Sequence, residues 1–180
     1  MEWDVRLFHL INGLAGYWPW LDDLMRALSR PDYFIVPSAG ALLYWIWKEK
    51  GQMVVPAMVL GASIAGADFV GFQLKNFVDR PRPCRALDQV HRLVGCGRNS
   101  SFPSNHAVNT AASAVFFQRF YPRTGMVVLT VVLLVGFSRV FVGAHYVTDV
   151  IGGWLVGSIV TWTLTSIAAR WMRRDREIGN

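Results

Sequence analysis

Cysteine is nearly absent from this chain: Cys84 and Cys96 are the only two in 180 residues. Two are too few for a disulfide-built scaffold, and their spacing is not that of a zinc finger. Acidic residues are also in deficit, with twelve Asp and Glu against eighteen Lys and Arg and a formal charge of +6. The carboxylates Asp68, Asp79 and Asp149 form no obvious divalent-cation site. There is no internal repeat, low-complexity tract or linker, and the length suits one domain over 1–180. The start of the chain, MEWDVRLFHL, has no basic region followed by a clean apolar core, so no secretory signal is expected. Apolar side chains are what the chain has in excess: 53% of residues are hydrophobic and eight are Trp. The basic residues fall in short clusters between apolar runs, which suits a membrane protein and disfavours a nucleic-acid binder.

Five apolar segments read as spans, at roughly 33–47, 52–74, 106–121, 124–142 and 147–169. The first is short, about fifteen residues against the ~20 that cross a bilayer core. Within 3–18, Trp3, Leu7, Leu10, Leu14 and Tyr17 recur at helical spacing while Asp4, Arg6, His9 and Asn12 interrupt. That pattern predicts an amphipathic helix lying in the membrane interface, with a true span as the alternative. The fold class expected is therefore all-α: an integral-membrane bundle of five to six transmembrane helices with an N-terminal amphipathic segment. The basic turns KEKGQ (48–52) and RFYPRTG (119–125) and the tail after Arg170 alternate so as to share one side, which the positive-inside rule makes cytoplasmic. The loop 75–105 and the connection 140–147 then face outward. The outer loop is nonetheless rich in Lys and Arg, against that rule, and so requires a functional reason for its charge.

Three polar clusters lie at outward span ends. The first, KNFVDRPRPCR, concentrates Lys75, Arg80, Arg82 and Arg85 where a span exits; alone it reads as snorkelling cations. The second, SFPSNHAVNT, puts Pro103, Ser104, Asn105 and His106 at the mouth of an apolar helix. Ser104 suits an N-cap, and the free N–H groups of the helix start make a ready phosphate site beside His106. The third, SRVFVGAHYVTD, carries Arg139 and a His145–Asp149 pair spaced four apart. On a helix that spacing shares a face, so the carboxylate can fix the imidazole tautomer and leave the other nitrogen free as nucleophile or base. Each cluster has a bland structural reading by itself. Together they supply an anion clamp, a nucleophile and a leaving-group acid, the inventory for displacement at phosphorus. Histidines in place of a carboxylate cluster imply that neither metal nor other cofactor is needed.

With these residues the chain resembles the type-2 phosphatidic-acid phosphatase superfamily. Its tripartite signature is matched by Lys75 with Arg82-Pro83, by Pro103-Ser104-Asn105-His106, and by Ser138-Arg139 with His145 and Asp149. The family's second motif more often has Gly or Asp where this chain has Asn105. The resemblance implies a membrane lipid phosphatase in which His145 attacks phosphorus to form a phosphohistidine and Asp149 orients it. His106 would protonate the leaving oxygen and later help activate water. Lys75, Arg82 and Arg139 would hold the phosphoryl oxygens, with Ser104 and backbone amides near Asn105.

The partners expected are a phosphorylated membrane lipid and the bilayer, with no nucleic acid and no obligatory protein partner. The expected location is the bacterial inner (plasma) membrane, multi-pass, with the site facing the periplasm or cell exterior. The segments LFHLING and LDDLMRALS resemble small bacterial members that recycle undecaprenyl diphosphate, which makes that lipid the first substrate. Phosphatidylglycerol phosphate, phosphatidate and lipid A 1-phosphate are the alternatives. A non-catalytic lipid-binding or flipping protein is the reading from another class. A disulfide between Cys84 and Cys96 is permitted if the outer loop meets an oxidising compartment; two unrelated small loop residues are the other reading.

Overall fold

A computed structural model describes residues 2–30 and 54–178, together with Gly40, Leu43, Tyr44, Trp47 and Lys48, and the side chains up to Arg170. The expected span at 33–47 and the basic turn 48–52 fall almost wholly outside the described residues, as do the side chains of the basic tail from Trp171 onward. The helices are α1 (Glu2–Asn12), α2 (Pro19–Leu28), α3 (Val54–Val78), the short α4 (Pro83–Ala86), α5 (Asn105–Phe120), α6 (Gly125–Phe141) and α7 (Val147–Ile178). A single 3-10 turn, Pro122–Thr124, joins α5 to α6, and no strand occurs among the described residues. Among the described residues, three stretches are long and apolar enough to cross a bilayer: Val54–Ala86, Pro122–Phe141 and Val147–Arg170. The chain is a multi-helix membrane protein, as its sequence predicts.

Small residues decide how the spans meet. Along α3 the buried positions are Ser63, Ala67, Gly71 and Lys75, one every four residues, while Met58, Phe69, Phe72 and Phe77 point outward. Along α7 the same spacing gives Asp149, Gly153, Gly157, Thr161 and Thr165 on the buried face. Helices lined this way let α5 approach closely, which is how packing holds helices together where the surrounding lipid is itself apolar. The approach is tightest at Gly157, where an added Cβ would stand 2.1 Å from the Val108 carbonyl oxygen of α5. At Gly153 a Cβ would stand 2.7 Å from the Ser104 carbonyl oxygen. Each small-residue stripe ends in a polar group, Lys75 on α3 and Asp149 on α7, so close packing also brings those groups together.

The central helix is α5, packed most extensively on α7 and also on α6 and α3. It buries Ala107, Val108, Ala111, Ala112 and Phe116. Its 16 residues rise about 24 Å, less than the ~30 Å hydrocarbon core.

Residues 3–18 do not form a span. Helix α1 stops at Asn12 after 11 residues, far fewer than the ~20 a crossing needs. The chain then turns through Gly16, whose φ of +92° suits glycine, into α2 with Pro19 at its start. Trp3, Leu10, Tyr17, Trp18 and Trp20 are exposed on this helical pair. The buried residues of α1 are Asp4, Phe8 and Asn12. Two of the four residues that break the amphipathic pattern, Asp4 and Asn12, thus face the protein, while Arg6 and His9 are exposed.

Candidate active site

Three stretches build the site: the end of α3 with the loop through Ser101, the mouth of α5, and the Val142–Tyr146 connection between α6 and α7. Cys84 and Cys96 are joined by a disulfide with their Cα atoms 6.1 Å apart, which realises the bridge that the sequence left open. Arg85 reinforces the clip by donating to the carbonyls of Gly97 (2.8 Å) and Arg98 (3.1 Å). Gly97 is thereby laid against the Arg82 guanidinium, where a Cβ would stand 3.1 Å from Cζ.

Arg82 donates through Nε to the Asn99 carbonyl (2.9 Å) and through Nη1 to the Ala144 carbonyl (3.1 Å). The same Nη1 lies 3.1 Å from His145 Nε2. His145 Nδ1 lies 2.8 Å from the Ser101 carbonyl oxygen. A carbonyl can only accept, so Nδ1 carries the proton and Nε2 presents its lone pair. Burial holds this imidazole well below its ordinary range, at about 3; the Asp149 carboxylate opposes the shift and the Arg139 and Arg82 guanidiniums add to it. At neutral pH the ring is an uncharged base with Nε2 free to attack once Arg82 yields its place.

The spacing of His145 and Asp149 predicts one helical face, with the carboxylate accepting an imidazole N–H. His145 lies in the loop, two residues ahead of the first residue of α7, so helical spacing does not apply to it. Asp149 Oδ2 stands 3.6 Å from His145 Nδ1, and the nearer partner is the Ser101 carbonyl. Asp149 is instead filled by the Ser101 hydroxyl, the Tyr146 N–H (2.9 Å) and Arg80 Nη1 (2.7 Å). It therefore orients His145 partly through Ser101, holding the hydroxyl of the residue whose carbonyl holds the ring.

Ser104 occupies the N-cap position of α5, but its hydroxyl makes no cap bond. That hydroxyl is fully buried and unpartnered, as are His106 Nε2 and Arg139 Nε. Buried polar atoms are nearly always hydrogen-bonded, so three orphans in one region call for a polar ligand. Arg139 keeps one bond, Nη1 to the Ser29 carbonyl at 3.0 Å. Lys75 Nζ donates to the carbonyls of Ser100 (3.1 Å) and Pro103, fixing the approach to Ser104 and leaving its third hydrogen uncommitted. Asn105 turns towards α3 and donates to Asp68 Oδ1 at 3.2 Å. The positive charges of Arg139, Arg82 and Lys75 all act on His106.

The eight residues expected from the sequence thus lie together at one end of the bundle. Ser101, Arg80, Thr148 and Asp4 belong to the same network and are not among those eight. Arg80 had a signal, since it sits in the basic cluster, but Ser101 acts through its backbone, which carries no residue signature.

A profile of the PAP2 superfamily matches residues 56–173, which include every residue of the clamp and the histidine pair. The undecaprenyl-diphosphatase BcrC of Bacillus subtilis is 31% identical over 158 residues, covering 86% of this chain and 79% of that protein. An undecaprenyl-diphosphatase of Sulfolobus acidocaldarius is 30% identical over 168 residues, covering 91% and 78%. The crystal structure of Aquifex aeolicus LpxE superposes with a TM-score of 0.74 at 24% identity over 90% of this chain and 94% of that one. Profile, relatives and fold agree with the buried histidine-and-cation cluster, and the chain belongs to the PAP2 superfamily.

Proposed function

We propose that this protein is an integral-membrane lipid phosphatase that removes the terminal phosphate of undecaprenyl diphosphate at the outward face of the bacterial plasma membrane. The observation that carries the reading is the set of buried, unpartnered atoms, Ser104 Oγ, His106 Nε2 and Arg139 Nε, together with His145 Nε2, whose lone pair faces Arg82. Basic turns assigned to the cytoplasmic side support the orientation, because they leave the site at the opposite ends of the spans. Two relatives that are undecaprenyl-diphosphatases support the substrate.

The terminal phosphoryl group enters against Arg82, Arg139, Lys75 and Ser104, which take over its oxygens from the present bonds. His145 Nε2 attacks phosphorus, and the bond from phosphorus to the bridging oxygen breaks. His106 Nε2 protonates that oxygen, so undecaprenyl phosphate leaves and phosphate remains on His145. The phosphorylated imidazole is cationic because Nδ1 keeps its proton, and the Ser101 carbonyl and Asp149 stabilise it. His106, now deprotonated, accepts a proton from water, which attacks phosphorus, releases inorganic phosphate and restores His145.

Detergent-solubilised protein incubated with undecaprenyl diphosphate, phosphatidylglycerol phosphate, phosphatidate and lipid A 1-phosphate tests the reading by phosphate release. Release should be fastest from undecaprenyl diphosphate, survive EDTA and be inhibited by vanadate, which mimics five-coordinate phosphorus. A protein that binds these lipids and releases no phosphate would be a lipid-binding or flipping protein, and the reading would fall.

A further inference from the structure

We propose that Asp4 of the N-terminal helix is a positioning residue for this reaction, sharing Arg80 with Asp149 and so setting the charge that Asp149 offers to His145. The inference rests on the phosphatase reading above. Its observation is a buried chain of three ions. Arg80 Nη2 lies 2.7 Å from Asp4 Oδ2, and Arg80 Nη1 lies 2.7 Å from Asp149 Oδ1; both carboxylates are wholly buried. Asp4 also accepts the Thr148 N–H (3.1 Å) and the Thr148 hydroxyl. Thr148 is the second residue of α7, so Asp4 caps that helix from across the protein, next to Asp149.

Arg80 cannot easily turn away from either carboxylate. Its guanidinium lies 3.8 Å over the Tyr146 ring and donates to Thr148 Oγ1 at 2.7 Å. Its own N–H donates to Ser100 Oγ at 2.9 Å, and its carbonyl accepts the Ser101 N–H at 2.7 Å. The residue that bridges the two carboxylates is therefore bonded to the segment whose Ser101 carbonyl holds His145. Helix α1 brings its charge to this junction through Asp4, with Phe8 packed on the Tyr146 ring, and Asn12 at its other end holds it in place by bonds to the backbone of His91 and Phe141.

Charge counting gives the consequence. One guanidinium between two carboxylates leaves one negative charge in a buried cluster. That charge is matched when His145 becomes a cationic phosphohistidine. With Asp4 neutral, Arg80 cancels Asp149, and the developing cation loses its compensation. The loss falls in the transition state and not on bound substrate, so kcat drops and KM does not. Partners that hold a metal-ligating histidine typically cost 10- to 100-fold when changed, and by analogy with that case about 10- to 100-fold in kcat is expected here.

The test compares wild type, Asp4→Asn, Arg80→Gln, the double variant and His145→Ala on undecaprenyl diphosphate, with melting curves for each. Expected are a fall of about 10- to 100-fold in kcat for Asp4→Asn with KM within about threefold, and a double variant no worse than the poorer single one, since both act through one bridge. Wild-type kcat in Asp4→Asn, a change confined to KM, or losses that multiply in the double variant would overturn the inference. If Asp4→Asn does not fold, Thr148→Val decides, because it removes the hydroxyl beside the bridge and keeps every charge. A kcat at least about threefold lower at unchanged KM supports the bridge, and an unchanged kcat overturns it. Failure of the phosphatase reading looks different: wild type and His145→Ala would then behave alike, and the inference would fall with it.

Discussion

Removing the Cys84–Cys96 bridge by Cys84→Ser should lower both stability and activity, for separable reasons. The bridge closes a loop with a sequence separation of 12. The chain-entropy relation for a loop of that size gives about 3 kcal/mol of stabilisation, exerted through the unfolded chain. For a chain of this length each kcal/mol moves the melting temperature by roughly 2–4 °C, so a drop of about 6–12 °C is expected. The activity effect comes from Gly97, which the bridge and Arg85 hold against the guanidinium of Arg82, the group in contact with His145 Nε2. Once the loop is released, Arg82 loses the wall on one side and the carbonyl of Asn99 as a fixed acceptor. Thermal unfolding followed by intrinsic tryptophan fluorescence, with phosphate release on the same samples, measures both. Two reactive thiols per chain in denatured, unreduced wild type would refute the bridge, and an unchanged melting temperature in Cys84→Ser would refute the energetic reasoning.

His145→Ala should abolish turnover, because no other residue of the site is an imidazole with a carboxylate behind it; near-wild-type rates would sink the mechanism. His106→Ala should be severe with lipid diphosphate and milder with a nitrophenyl phosphate, whose leaving group needs little help from an acid; equal losses on both would remove His106 from that role. The depressed His145 also makes a signed pH prediction. The folded ring stays neutral while the unfolded ring protonates below about 6.5, so the stabilisation from His145 is present above that pH and is lost as pH falls towards 3. Between pH 7.5 and 5 wild type should lose up to about 2 kcal/mol more than His145→Gln, and parallel pH–melting curves would contradict this. Gly157→Ala should cost about 1–3 kcal/mol or more through overpacking, since its Cβ meets the backbone of Val108 and not a movable side chain; a wild-type melting temperature would show that α5 and α7 do not pack as described.

Much of this protein follows from the sequence read alone. The apolar runs and their basic flanks mark the spans, because hydrocarbon tolerates few other patterns. Lys75, Arg82, Ser104, Asn105, His106, Arg139, His145 and Asp149 are legible because each motif is short, and its residue types suit only a few chemistries. What escaped notice is what depends on distance in space. The polar interruptions Asp4 and Asn12 looked like flaws in an amphipathic helix, yet they are the face by which that helix binds the rest. Asp4 meets Thr148 across 144 positions of sequence, and no local pattern encodes such a pairing. The acceptor for His145 Nδ1 is a main-chain carbonyl, which every residue possesses, so only the path of the chain could select Ser101. Periodicity and residue chemistry are local properties and can be read from the string. Which buried donor meets which acceptor is settled by the close approach of α3, α5 and α7, and only the tertiary structure decides it.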